Sequence, residues 1–129
     1  MNRRQFAIVV VLLLGMFDIS FLAHAQMSEQ SRCAHLVAKD IARTKQEAPE
    51  VFSTIAHHNF EWSPKYQSCV MVIQYRVHKS GKPPEIQVVA TNAATMQPME
   101  GTKNVFLIPA TETKEIEDAT NFLFEKYSH

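Results

Sequence analysis

Apolar and polar positions change rhythm twice between Ser28 and Tyr127. From Ser28 to about Gln46, Cys33, Leu36, Val37 and Ile41 recur at helical spacing, which predicts an amphipathic helix. Ser28 or Ser31 is placed to cap it, and Arg43 and Lys45 suit its C-terminal end. Ala48-Pro49 stops it, because the residue before a proline is pushed out of the α region. The period then becomes two. Thr54 to Trp62 alternates Thr54, Ala56, His58, Phe60 and Trp62 with Ile55, His57, Asn59 and Glu61. Ser63-Pro64-Lys65 reads as a turn. Gln67 to His78 is the strongest strand, with Cys69, Met71, Ile73, Tyr75 and Val77 on one face and Val70, Val72, Gln74, Arg76 and His78 on the other. After the loop Lys79 to Pro84, Glu85 to Ala94 predicts a third strand and Val105 to Ile108 a short fourth, with Thr95 to Asn104 as a loop between them. Helical spacing returns from about Glu112 to Tyr127, where Ile116, Ala119, Leu123 and Tyr127 share a face and Thr111 or Thr113 is the expected cap.

This order predicts an α+β domain: an antiparallel sheet of three to four strands, with the N-terminal and C-terminal helices packed on one face as two layers. One further pattern precedes it. Arg3 and Arg4 are followed by the apolar run Phe6 to Phe17 and by Ala23-His24-Ala25, the three parts of a secretory signal peptide. Asp18 interrupts the apolar stretch, which is shorter than the roughly 20 residues that span a bilayer. Residues 1–25 are therefore expected to be removed, leaving 26–129 as a single domain without stable membrane insertion. Arg3-Arg4-Gln5-Phe6 also resembles a twin-arginine export signal, so the general and twin-arginine routes both stand. The expected location is periplasmic or secreted.

Composition narrows the partners. Without Arg3, Arg4 and Asp18, the 13 basic and 13 acidic residues become 11 against 12. That balance offers no general attraction for nucleic acid or anionic lipid. The two cysteines, Cys33 and Cys69, both follow the leader, and an exported chain with two cysteines is most simply read as having one disulfide.

A cysteine on an N-terminal helix, followed by the hairpin Trp62-Ser63-Pro64-Lys65-Tyr66-Gln67-Ser68-Cys69 and an apolar strand, resembles a pattern in small secreted bacterial proteins of unknown function. The likeness covers about the first half of the mature chain. It implies a helix-to-strand disulfide and a bacterial envelope setting, and it implies no activity.

Candidate chemistry concentrates between His57 and Cys69. His57 and His58 are adjacent, so in a strand they point to opposite faces and cannot share one metal. A metal site there would need His35, His78 or Glu61 as partners. Cys69 beside a histidine would be a nucleophile only as a free thiolate. No C-x-x-C, G-x-S-x-G, G-x-x-x-x-G-K or G-x-G-x-x-G motif occurs. The acidic residues Glu112, Glu115, Glu117 and Asp118 suit the N-terminal half of a helix. Phe60, Trp62 and Tyr66 form a candidate contact surface, since aromatics are enriched at interface hot spots, though capping the core is the competing role. Phe122, Leu123 and Phe124 widen the apolar arc of the last helix, as deep burial or a dimer face would.

The expected function is a non-enzymatic exported binding module or envelope accessory factor, with no cofactor and an unidentified protein or envelope component as partner. The alternative is a small secreted hydrolase or metal-binding protein using His57 or His58. The leader makes a direct prediction: residues 1–25 fused to a periplasmic reporter are expected to be cut before Gln26, read by the mass of the exported product, whereas a retained uncut fusion would show an anchor.

Overall fold

The computed structural model describes residues 29–100 and 105–129. The leader, the Ser28 cap and part of the Thr95 to Asn104 loop lie outside the described residues. The chain divides into two units, Met1–Arg32 and Cys33–His129, and the architecture below is that of the second. The first helix, α1, covers residues 29–47 and stops at Ala48. Pro49 then starts a second, six-residue helix, α2 (Pro49–Thr54), in which proline occupies the first turn, where its missing N–H costs nothing. The sequence pattern had suggested no helix there.

Three strands follow: β1 (Ile55–Ser63), β2 (Ser68–Val77) and β3 (Glu85–Asn92), all antiparallel in the order β1-β2-β3. The β1–β2 hairpin closes through Pro64 to Gln67, with Gln67 at a left-handed φ of 50° and its Nε2 donating to the Pro64 carbonyl at 2.7 Å. Two short strands then share the far edge of β3. β4 (Gln97–Pro98) pairs with its end, at Thr91 and Asn92, and β5 (Phe106–Pro109) pairs with its start, from Glu85 to Val88. They act as one edge strand interrupted between residues 98 and 106. The last helix, α3 (Thr113–Ser128), begins without the expected threonine cap: Glu112 is the N-cap residue, and no side chain bonds the first turn. No described helix is long and apolar enough to cross a membrane.

The α+β class, the antiparallel sheet and the disulfide are as expected, but the two helices do not share a face. Val70, Met71, Val72 and Ile73 of β2 are each 0–1% exposed. Consecutive strand residues point opposite ways, so such a run needs cover on both sides. Cys69, Met71 and Ile73 pack with Cys33 and Val37 of α1, together with Val89 and Ala93. Val70 and Val72 pack with Ile116, Ala119, Leu123 and Tyr127 of α3, together with Ile86, Val88, Ala90 and Ile108. The result is three layers, helix, sheet and helix, rather than two.

The first interface is covalent. Cys33 and Cys69 form a disulfide with their Cα atoms 5.4 Å apart, so neither sulfur is a free thiol. α1 also buries Asp40, whose Oδ1 accepts from Arg43 at 3.0 Å, one turn along the helix. On the second interface, Gln74 Nε2 donates to Thr120 Oγ1 at 3.2 Å, and Thr120 Oγ1 in turn donates to the Ile116 carbonyl at 2.8 Å. In the chain-entropy view, closing a loop of 36 residues contributes roughly 3.8 kcal/mol. Cys33→Ser and Cys69→Ser are therefore expected to lower stability by similar amounts, about 2–5 kcal/mol in chemical denaturation. Clearly unequal losses would count against a single shared bond as the origin of the effect.

Candidate functional site

The alternation of β1 is broken at its start. Ile55 stands opposite Tyr75 and His57 opposite Gln74, so Ala56 is an extra residue in a bulge. Beyond it the register is regular: His58 opposite Ile73, Asn59 opposite Val72, Phe60 opposite Met71, Glu61 opposite Val70 and Trp62 opposite Cys69. His57, Asn59 and Glu61 thus share the α3 side of the sheet, while His58, Phe60 and Trp62 share the α1 side. The bulge moves Ala56 off the Phe60 face, where strict alternation had put it, and onto the cluster under α3.

α3 presents a matching stripe. Glu117, Asn121 and Glu125 lie four residues apart, on one flank of the buried row Ile116, Ala119, Leu123 and Tyr127. Between that stripe and β1 runs a groove. One cavity, about 560 Å³, is lined by Asn59, Phe60, Glu61, Asn121, Phe124, Glu125 and His129. A second, about 410 Å³, contains His57, Gln74, Glu117 and Thr120 over the apolar Ile86 and Ile116, and Asn121 lines both. His129 Nε2 lies 3.3 Å from Glu61 Oε2 and bridges helix end to strand. Three carboxylates, Glu61, Glu117 and Glu125, face two histidines, so the groove is acidic wherever the histidines are neutral. Its amides can donate and accept hydrogen bonds and its carboxylates can accept them beside Phe124, while Phe60, whose side chain lies on the α1 side, meets the cavity at the strand edge.

The first cavity has an informative lining. Asn59, Phe60 and Glu61 are consecutive, and consecutive strand residues face opposite sides. A cavity touching all three wraps the outer edge of β1 rather than lying on one face of the sheet.

Ser63 sets where the end of α3 sits. It is fully buried; its Oγ donates to the Tyr127 carbonyl and accepts the Tyr66 N–H at 3.2 Å. Tyr127 is equally buried, with its hydroxyl donating to Glu100 at 3.2 Å. From sequence, Ser63 was simply a turn residue before proline; its distant partner on α3 left no local trace.

The aromatic trio does not form one patch. Phe60 is half-buried against the cluster under α1, and Trp62 is half-buried on that same face opposite Cys69. Tyr66 lies in the hairpin loop, with its ring 5.9 Å from that of Tyr127 and Lys65 Nζ 5.4 Å above it. Of the three, Phe60 reaches the groove. The groove residues Asn59, Asn121, Phe124, Glu125 and His129 were not singled out as a site, although two polar stripes, period two in β1 and period four in α3, were present to be matched.

Chemistry at the histidines gains no geometric help. His57 and His58 occupy opposite faces, and among the described residues no group of three or more His, Cys, Asp or Glu is placed to hold a metal ion. Cys69 is in the disulfide. Burial pushes the Tyr75 hydroxyl up from its ordinary range, so it stays neutral through physiological pH. Comparison with protein families, with curated proteins and with solved structures finds no match for this chain.

Ser63→Ala removes two bonds at one buried point and strands the Tyr127 carbonyl and Tyr66 N–H. A loss of about 1–3 kcal/mol is expected in urea denaturation, against less than about 0.5 kcal/mol for the exposed Ser53→Ala. Equal effects would mean that the Ser63 contacts do not hold the helix end.

Proposed function

We propose that this chain is an exported, disulfide-bonded, non-enzymatic binding module of the cell envelope, and that it takes its partner in the groove between β1 and α3. The observation carrying this reading is the lining of that groove: three consecutive residues of an edge strand and one polar flank of a helix converge on one open cavity. Export is supported by the leader pattern and by a buried disulfide, which persists in oxidising compartments. The resemblance to small secreted bacterial proteins points the same way. Binding rather than turnover is supported by the site's contents, which are amides, carboxylates, phenylalanines and the Glu61-paired His129, with no Ser, Thr or Cys nucleophile among the described residues lining that cavity.

The test uses the mature disulfide-bonded protein as bait in envelope extract, beside Asn121→Trp, which fills the groove, and Phe122→Ser, which alters the exposed outer flank of α3. A partner is expected to be captured by the wild type and by Phe122→Ser, and lost with Asn121→Trp while its melting temperature stays close to wild type. Capture that survives Asn121→Trp and is lost with Phe122→Ser would place the site on the other side of the helix and refute the reading.

A further inference from the structure

β1 is the last strand on its side of the sheet: among the described residues no strand pairs with its outer edge. The ladder shows which backbone groups face outward. The Ala93 N–H donates to the Cys69 carbonyl at 2.9 Å, so Cys69 turns its backbone toward β3. Orientation alternates along a strand, so Val70, Val72 and Gln74 turn theirs toward β1, where Glu61, Asn59 and His57 stand opposite them. The N–H and C=O groups of His58 and Phe60 consequently point away from the sheet. The Phe60 N–H is met there by its neighbour's side chain, Asn59 Oδ1, at 3.0 Å.

An outward edge of this kind is a template for another strand, and proteins commonly guard such edges with proline, lysine or short length. β1 is 9 residues long and contains neither proline nor lysine, and its one bulge, at Ala56, precedes a regular register from His57 to Ser63. The Asn59 cap is a light guard, since a side-chain rotation releases it. Directly beside the edge lies the acidic groove, with Glu61, Glu117 and Glu125 against His57 and His129. A second copy related by a two-fold axis would bring Glu117 and Glu125 of both molecules toward each other on one face of the joined sheet. That like-charge approach disfavours self-pairing and favours a cationic guest.

Resting on the reading that this groove is the binding site, we propose that its occupant is an extended peptide segment rich in Lys or Arg. It adds to the sheet as a strand beside β1. Main-chain bonds to His58 and Phe60 replace the Asn59 cap, and every second side chain enters the groove under α3.

The probes are two pools of capped peptides of about ten residues, one with Lys or Arg and one with Glu at alternate positions, offered to the mature disulfide-bonded protein at low salt. The basic pool is expected to be retained about tenfold better, and the double variant Glu61→Gln/Glu125→Gln to remove most of that preference. The best binder is expected to slow hydrogen exchange at the His58 and Phe60 amides. N-methylation of alternate residues is expected to abolish binding in one phase and leave it nearly intact in the other. Equal retention of the two pools, or equal loss for both methylation phases, overturns the proposal. If Asn121→Trp still releases the envelope partner in that case, the groove stands as the site and the strand-like occupant alone is wrong. Protection of the same amides that rises with protein concentration, without peptide, would identify a second copy as the occupant and also overturn it.

Discussion

Four consecutive residues of β2, Val70 to Ile73, are shut away from water although their side chains point alternately up and down. A strand in that condition requires an apolar cover on each side, and most of the architecture follows from supplying the two covers. α1 provides one, fastened at Cys33–Cys69. α3 provides the other through Ile116, Ala119, Leu123 and Tyr127. Each buried branched or long apolar side chain contributes about 1.5–3 kcal/mol, so neither cover is dispensable in a domain whose net stability is of the order of 5–15 kcal/mol. The disulfide joins the N-terminal part of one cover to the start of the strand itself, both cysteines being buried.

The longer elements of the fold are legible in the sequence because their periodicities are local. The face of α3 matches residue for residue, and the boundaries of the four expected strands fall within one or two positions, but β4 (Gln97–Pro98), too short to show alternation, lies in the segment expected as a loop. The layering was not legible in the same way. The run Val70-Met71-Val72-Ile73 satisfies alternation whichever face is taken as the core, and packing both helices on one face leaves the Val70 face without a cover. The structure resolves this along the length of the strand: the Cys69 to Ile73 portion is buried on both sides, and the side facing α3 turns polar only at Gln74, which donates to Thr120 of α3, and at the exposed Arg76. A continuous apolar run is the mark of two-sided burial, and here it outweighed the alternation at the strand's end. α2 escaped for a different reason. Six residues opened by a proline carry too little periodic signal to separate from a loop.

The site depended on a relation that no single segment contains. His57, Asn59 and Glu61 make a polar stripe on a strand, and Glu117, Asn121 and Glu125 make one on a helix; each is unremarkable as a solvated face. They become a groove because α3 crosses from β3 toward β1 and is held there at its end by Ser63 and Tyr127. The sequence separation of 64 between those two residues is what hid the contact. The aromatic trio shows the converse. Phe60, Trp62 and Tyr66 are close in sequence, yet the hairpin loop sends Tyr66 to Tyr127 on the α3 side and leaves the other two on the α1 side.

The two covers also differ in what they leave open. At β3, the edge that lies away from β2 is taken by β4 and β5. At β1, the edge ends in water among the described residues, with the flank of α3 standing over it. The described sheet therefore has two outer edges, one formed by the short strands β4 and β5 and the other by β1, which carries a bulge, an asparagine cap and the acidic side of a helix. α3, which follows β5, shields a face of the sheet but cannot supply a ladder of main-chain bonds to the edge of β1. The two edges differ in length: β4 and β5 offer two and four residues, β1 offers nine, and the polar groove lies beside the longer one.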